Sequence, residues 1–105
     1  MAPGKHFINN IGAPVDRALR AQLARDPALR LIESEKVLFR QQVSGSQKVI
    51  LLSGGGSGHE PAHAGYLGEG MLDICVAGNV FASPSAKQIL SGLNALDTPQ
   101  GALVI

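Results

Sequence analysis

The chain has 105 residues, of which 45% are hydrophobic and only 4% aromatic, and its net charge is +1. This length corresponds to one ordinary domain or to part of a larger one, and the balanced charge and few aromatic side chains argue against a nucleic-acid surface. The amino terminus carries no apolar signal-peptide core, and no apolar run approaches the roughly 20 residues of a membrane helix. We therefore expect a cytoplasmic protein that contacts neither nucleic acid nor membrane.

The first predicted element is an amphipathic helix over residues 14–25, which Asp26 and Pro27 bring to an end. Its apolar face is expected to consist of Val15, Ala18, Leu19 and Leu23. A short apolar strand over residues 37–39 follows, and then a polar turn over residues 41–47.

Two strands are predicted on either side of a glycine-rich stretch. Residues 48–52 are apolar and partly β-branched, which makes them the clearest strand of the chain. A loop over residues 53–58 and a short helix that starts near Pro61 and ends before Gly70 are expected next. Residues 73–77 then form the following strand.

The carboxyl-terminal part is predicted to hold one helix and one strand. Ser83 is the expected N-cap of the helix, with Pro84 in its first turn. Its buried face is expected to consist of Ile89, Leu90, Leu93 and Leu96. The apolar residues 101–105 indicate a buried strand, whereas natural termini usually lie at the surface. We therefore expect either that the sequence is a fragment or that a partner covers this end.

The alternation of strands and helices predicts an α/β fold, with a mostly parallel or mixed sheet flanked by helices, in an incomplete domain. In such sheets ligands bind beyond the carboxyl ends of the strands. The glycine-rich loop follows directly on Leu52, at the end of a predicted strand. Successive glycines there would let a ligand approach the main chain closely.

The glycine-rich loop matches none of three common motifs. A P-loop requires a lysine after its last glycine, but His59 and Glu60 stand there. The dinucleotide fingerprint that starts at Gly54 and Gly56 would need its third glycine where His59 stands. A nucleophile elbow around Ser57 would need a glycine at the same position. A P-loop ATP site and a serine hydrolase are therefore both disfavoured.

Residues 59–63, His-Glu-Pro-Ala-His, match the zinc motif H-E-x-x-H letter for letter. That motif works because two histidines four residues apart lie on one face of a helix. Pro61 fits the first turn of a helix, which would leave His59 outside the helical face. A zinc hydrolase is therefore a disfavoured alternative, and no metal ligand is assigned. We expect His63 to be a helix residue held by packing or hydrogen bonds.

His59 is the candidate for chemistry, because a loop delivers it to the strand ends and histidine ordinarily titrates near neutral pH. Glu60 is expected to stabilise the start of the following helix through its charge. Cys75, within an apolar strand, is expected to be a buried core thiol. Tyr66 and Phe81 are also expected to belong to the core.

Residues 51–66, Leu-Leu-Ser-Gly-Gly-Gly-Ser-Gly-His-Glu-Pro-Ala-His-Ala-Gly-Tyr, resemble the signature of the substrate-binding subunit or domain of dihydroxyacetone kinases. Four further segments resemble the family in the same order, and they are residues 7–10, 68–72, 77–84 and 101–105. Within them Asn79 and Ala82 depart from the family's pattern. The resemblance covers nearly the whole chain.

The resemblance implies that residues 1–105 are the amino-terminal part of a dihydroxyacetone-binding kinase domain, which binds dihydroxyacetone for phosphorylation to dihydroxyacetone phosphate. The substrate would contact Gly56, Ser57, Gly58 and His59, and His59 would also be catalytic by aiding proton transfer. The chain itself would bind no cofactor. ATP and Mg would bind on a separate helical subunit or domain, unless a phosphorylated partner system is the donor, and the chain would form a homodimer.

Two alternatives to an active kinase remain open. One is a non-catalytic paralogue that binds the ketone as a coactivator or sensor, and the other is a fragment without a function of its own. In the family, a lysine and an aspartate follow the strand that residues 101–105 resemble, and a distant histidine bonds covalently to the carbonyl carbon of the substrate. Those residues would lie beyond Ile105.

Overall fold

A computed structural model describes residues 13–57, 63–80 and 82–105. Its longer elements are α1 (Ala13–Arg25), β1 (Leu29–Ile32), β2 (Val37–Arg40), β3 (Ile50–Ser57), β4 (Ile74–Val80), α2 (Ala86–Asn94) and β5 (Ala102–Val104). Two short 3-10 helices also form, Gln41–Val43 and Ala64–Tyr66. Within the described ranges no helix is both long enough and apolar enough to cross a membrane.

The five strands form one mixed sheet in the order β1-β2-β4-β3-β5. Strand β3 runs parallel to β4 and to β5, whereas β2 runs antiparallel to β1 and to β4. This confirms the predicted α/β fold with a mixed sheet flanked by helices. The carboxyl ends of β3, β4 and β5 therefore lie at one edge of the sheet.

The core has two parts, one on each face of the sheet. On one face Val15 and Leu19 of α1 pack in a cluster with Leu38 and Cys75. On the other face α2 covers a second cluster, which includes Val37, Phe39, Ile50, Leu52, Ile74 and Val76. Successive side chains of β2 alternate between the clusters, as the period of two along a strand requires. Full burial of each aliphatic side chain contributes about 1.5–3 kcal/mol.

The amino-terminal helix confirms its prediction closely. Helix α1 spans Ala13–Arg25, and the backbone N–H of Asp26 still donates to the carbonyl oxygen of Gln22. The carboxylate of Asp26 then accepts a hydrogen bond of 3.0 Å from the N–H of Ala28, which turns the chain toward β1.

Strand β1 was not predicted from the sequence. Leu29–Ile32 pairs with β2 through a tight turn in which Lys36 has a φ of 55°. Leu29 is buried, whereas Arg30 beside it is exposed. The strand is only four residues long and lies at an edge of the described sheet. Its sequence therefore shows too short an alternation of apolar and polar residues to predict a strand.

Two expectations around the glycine-rich stretch are wrong. Ser53 to Ser57 do not form a loop, because β3 continues through them and pairs with β4. In place of a short α-helix ending before Gly70, the described residues 63–70 hold only the 3-10 turn Ala64–Tyr66. Three glycines lie in that stretch, and each costs a helix about 1 kcal/mol relative to alanine. Residues 58–62, including Pro61, lie outside the described residues.

Helix α2 begins two residues later than predicted. Its N-cap is Ser85 rather than Ser83, and Pro84 precedes the helix. The Ser85 hydroxyl accepts from the N–H of Gln88 at 3.2 Å, and the Gln88 side-chain oxygen accepts from the N–H of Ser85 at 2.9 Å. This reciprocal pair is a capping box, which satisfies two backbone donors that the helix start leaves without partners.

The expected buried face of α2 is partly wrong. Leu96 is buried and Ile89 and Leu93 pack against the core, but Leu90 is 57% exposed. Gly92 determines which face of α2 lies against the sheet, because a Cβ there would lie 2.9 Å from Val76 Cγ2. Leu90 precedes Gly92 by two residues, which is about 200° around a helix and points it away from the sheet.

The predicted strand over residues 101–105 is confirmed as β5, but its predicted burial is not. Leu103 is 53% exposed and Ile105 is 70% exposed. Strand β5 pairs with β3 on one side and is an edge strand of the described sheet. Its side chains therefore lack a neighbouring strand on their outer side.

The capping box leads to a testable stability difference. Replacing Ser85 with alanine is expected to lower the free energy of unfolding by about 1 kcal/mol, because the N–H of Gln88 loses its acceptor. Ser83→Ala provides the matched control and should leave stability unchanged, since Ser83 is exposed and precedes the helix. Urea titrations of both variants measure the difference. A larger loss for Ser83→Ala would contradict the assigned cap.

Candidate functional site

Three elements converge at the edge of the sheet where β3 and β4 end. The side-chain amide of Gln88 donates to the carbonyl oxygen of Ala77 at 2.9 Å and to that of Glu35 at 3.0 Å. These bonds fasten the start of α2, and the turn between β1 and β2, to the carboxyl end of β4. The positive end of the α2 dipole therefore lies near this edge, where it favours negatively polarised ligand atoms.

Residues 54–57, called the glycine segment below, form the carboxyl-terminal half of β3. Gly54 is required by the sheet itself. A Cβ at that position would lie 2.1 Å from the carbonyl oxygen of Val76, a distance that no real structure tolerates. The absence of a side chain at Gly54 therefore allows β3 and β4 to approach closely, and it does not open space for a ligand.

Gly55 has a different neighbour. A Cβ on Gly55 would lie 3.0 Å from Nε2 of His63 and 3.5 Å from its Cδ2. The edge of the imidazole ring therefore occupies the space where a side chain of residue 55 would stand. His63 is half-buried in this position.

The pairing of β3 with β4 becomes irregular just beyond Gly55. Gly55 pairs with Ala77 and Ser57 pairs with Val80, so two steps along β3 match three along β4. The chain after Gly78 also folds back closely, since a Cβ there would lie 2.0 Å from the carbonyl oxygen of Ala82. Irregular pairing of this kind is common beside active sites, where it redirects the chain.

The predicted substrate-binding residues fall partly within the described structure. Gly56 and Ser57 lie at the carboxyl end of β3, which is the edge expected for a ligand site. Gly58 and His59 lie outside the described residues, as does Glu60. The assignment of all four contact residues and of His59 as the catalytic group stays a prediction.

His63 does not lie on a helix, contrary to expectation. Its backbone has φ 57° and ψ −64°, a strained conformation for a residue with a side chain. Such conformations cost about 1–3 kcal/mol and persist only where the surrounding structure imposes them. The zinc motif needs His59 and His63 on one helix, and the backbone at His63 does not provide it. Among the described residues, no group of three His, Cys, Asp or Glu side chains could hold a metal ion.

The other candidate residues divide between core and surface. Cys75 is buried, as predicted. Tyr66 is 61% exposed, so its assignment to the core is wrong. Phe81 lies outside the described residues.

A buried charge cluster lies at the opposite edge of the sheet. Asp73 is fully buried and accepts hydrogen bonds from Arg40 at 2.9 Å, from Lys48 at 2.5 Å and from the N–H of Leu51 at 3.0 Å. Asp73 directly precedes β4, and its carboxylate bonds to Arg40 of β2 and to Leu51 of β3. Sequence analysis missed this cluster, because only the antiparallel return of β2 brings Arg40 beside Asp73. Because the cluster is buried at the opposite edge of the sheet from the glycine segment, we assign it a role in stability.

The fold is therefore an α/β domain whose glycine segment ends at the edge of a mixed sheet where the parallel strands have their carboxyl ends. Comparison with known proteins identifies the family. The Dak1 domain matches residues 20–105. A dihydroxyacetone kinase of Pichia angusta is 58% identical over 80 residues, which cover 76% of the chain and 13% of that protein. The chain therefore belongs to the Dak1 domain family, as its sequence resemblance predicted.

Solved structures agree with this membership. The crystal structure of the dihydroxyacetone kinase from C. freundii, in complex with AMP-PNP and Mg²⁺, matches with a TM-score of 0.83 and 35% identity, covering 95% of the chain and 19% of that protein. A dihydroxyacetone kinase operon co-activator matches with a TM-score of 0.76 and 35% identity, covering 85% of the chain and 27% of that protein. The chain thus spans less than a third of the length of each of these relatives.

Proposed function

We propose that the chain is the amino-terminal part of a dihydroxyacetone-binding kinase domain. The intact protein would bind dihydroxyacetone and present it for phosphorylation to dihydroxyacetone phosphate. The observation that carries the proposal is the glycine segment at the carboxyl end of β3, within a Dak1 family domain. Gly56, Ser57, Gly58 and His59 are the proposed substrate contacts.

The chemistry of these residues suits a small hydroxyketone. Backbone N–H groups beside the irregular strand pairing could donate to the carbonyl and hydroxyl oxygens of such a ligand. An imidazole at His59 can accept the proton of the reacting hydroxyl group, which makes that oxygen a better nucleophile. The same side chain would orient the ligand before reaction.

ATP and Mg are proposed to bind on a separate helical subunit or domain. The glycine-rich stretch lacks the lysine that a P-loop nucleotide site requires, since His59 and Glu60 stand in its place. The relative from C. freundii was solved with AMP-PNP and Mg²⁺, which supports ATP as the donor. We further propose that the intact protein is a homodimer, that it is cytoplasmic and that it acts in glycerol metabolism.

A binding experiment tests this function. The intact protein is titrated with dihydroxyacetone while the histidine side-chain resonances are followed by NMR. Glycerol serves as the control ligand because it carries a hydroxyl group in place of the carbonyl. Saturable shifts are expected with dihydroxyacetone alone. His59→Ala should weaken binding about tenfold, the equivalent of one lost hydrogen bond of about 1.4 kcal/mol.

The chain offers an internal control for that titration. Its three histidines are His6, His59 and His63, and His→Ala variants of each in the intact protein assign these three resonances by difference. His6→Ala should bind dihydroxyacetone like the unmodified protein. Absence of any saturable shift in the unmodified protein at millimolar ketone would overturn the proposed function.

A ketone-binding coactivator or sensor is the second candidate. The structural match to a dihydroxyacetone kinase operon co-activator favours it, since identity to that protein is also 35%. Both candidates predict ketone binding, so an activity assay must separate them. The intact protein is incubated with dihydroxyacetone, ATP, Mg²⁺ and the helical nucleotide-binding partner. Formation of dihydroxyacetone phosphate supports the kinase, whereas binding without turnover supports the coactivator.

A further inference from the structure

His63 combines two features that the proposed function leaves unexplained. It is one of two non-glycine residues in the described structure with a positive φ. The other, Lys36, lies in the tight turn between β1 and β2, where such a conformation is common. His63 instead precedes a 3-10 turn, in which the N–H of Tyr66 donates to the His63 carbonyl oxygen at 2.9 Å. Glycine, which has no Cβ, would adopt this conformation more readily than histidine does.

The strained backbone places the imidazole against the glycine segment. Three ring atoms lie within 4 Å of the position that a Cβ of Gly55 would take, namely Nε2 at 3.0 Å, Cε1 at 3.8 Å and Cδ2 at 3.5 Å. The ring therefore packs edge-on against the backbone of Gly55. It occupies the space that any larger residue at position 55 would require.

This contact lies where the sheet no longer holds the chain firmly. Regular pairing with β4 ends at Gly55, and the register has changed by Ser57. Glycine adds its own conformational freedom at positions 54 to 56. A rigid group against Gly55 is thus what would restrict the backbone that enters the proposed contact residues Gly56 and Ser57.

We propose that His63 is a positioning residue for the ketone site. Its imidazole holds Gly55, and through Gly55 it holds Gly56 and Ser57, in the conformation that binds the substrate. This inference rests on the proposed function and deepens it, because it assigns a role to the second histidine of the His-Glu-Pro-Ala-His sequence. The strain at His63 has a function in this arrangement, since relaxing the backbone would withdraw the ring.

His63→Gly is the decisive variant. Glycine accepts a φ of 57°, so the substitution removes the ring without adding backbone strain. In the intact protein we expect the melting temperature to be maintained or raised, while the Kd for dihydroxyacetone increases about tenfold. The ligand-free amide resonances of Gly55 and Gly56 should broaden or shift, which records the loss of positioning directly. His63→Asn, which removes the ring but keeps a polar side chain, is the second variant if the first does not fold.

Gly55→Ala supplies a rescue test. Alone, its methyl group would press against the ring at 3.0 Å and weaken ketone binding. Combined with His63→Gly, the methyl group enters the vacated space and should restore part of the lost affinity. The two single effects would then not add, as expected for residues in direct contact.

The outcomes separate this inference from the proposed function. If the unmodified protein binds dihydroxyacetone and His63→Gly binds it equally well, with unchanged glycine amide resonances, the positioning role is wrong and the function stands. If affinity and melting temperature fall together and Gly55→Ala gives no rescue, His63 is a packing residue only. If the unmodified protein does not bind the ketone, both proposals fail.

Discussion

Replacing Asp73 with asparagine is expected to lower the free energy of unfolding by about 3–5 kcal/mol, the usual loss when one partner of a buried ion pair is removed. The carboxylate is fully buried and contacts two cations, Arg40 and Lys48. The Arg40 side chain is itself only 9% exposed, so water could not solvate its guanidinium group once the carboxylate is gone. Asparagine preserves the volume of the side chain, which confines the loss to electrostatics and hydrogen bonding.

Urea titrations followed by circular dichroism measure this effect. Asp97→Asn is the matched control, because Asp97 is exposed and the same substitution there should change stability by no more than about 0.5 kcal/mol. The double variant Arg40→Met with Asp73→Leu removes the two buried charges and should recover part of the stability, since the remaining cation, Lys48, is 35% exposed and can turn to water. Equal stability of the Asp73 and Asp97 variants would show that the buried cluster does not stabilise the sheet.

Replacing Gly54 with alanine is expected to destabilise the protein by about 3 kcal/mol or more, the upper range for overpacking. The added methyl group would lie 2.1 Å from the carbonyl oxygen of Val76 and 3.2 Å from its Cβ. Both atoms belong to the centre of β4, which pairs with β2 on its other side. Strands β3 and β4 would have to separate, because neither backbone can retreat alone.

Gly68→Ala is the matched control for this substitution. A Cβ there would meet only the terminal methyl of Met71 at 2.7 Å, and Met71 is 47% exposed and free to move aside. Thermal unfolding should therefore show a small change for Gly68→Ala and a large one for Gly54→Ala. Similar losses in the two variants would mean that the β3–β4 contact yields more easily than its geometry indicates.

The local sequence pattern was sufficient to predict those elements whose hydrophobic residues have a distinctive spacing. Val15 and Leu19 repeat at helical spacing, so α1 is readable without knowledge of its partner. Residues 50–52 and 74–77 are apolar runs of strand length, and they are the centre of the sheet. The start of α2 was predicted two residues too early, because Ser83 with its following proline is also a typical helix start.

The candidate site was predictable in its position and only partly in its structure. A glycine-rich stretch after an apolar strand indicated the ligand edge, and the family resemblance that the Dak1 match confirms named its contact residues. That Gly54 serves strand packing could not be predicted, because Val76 approaches it from 22 residues further along the chain. Nor could the contact between His63 and Gly55, which depends on a backbone conformation that local preference disfavours.

By itself, the sequence determined both α-helices, the centres of β2 to β5, the α/β class with a mostly parallel or mixed sheet, and the family, because hydrophobic periodicity and a long specific motif are properties of neighbouring residues. Tertiary structure alone decided that β3 extends through the glycines, that Leu90 faces outward and that Asp73 is paired. Each of these depends on a partner distant in the chain: β4 beside the glycines, the sheet beneath Gly92, and Arg40 across the antiparallel return of β2. The packed neighbours select among conformations that the local sequence leaves close in free energy.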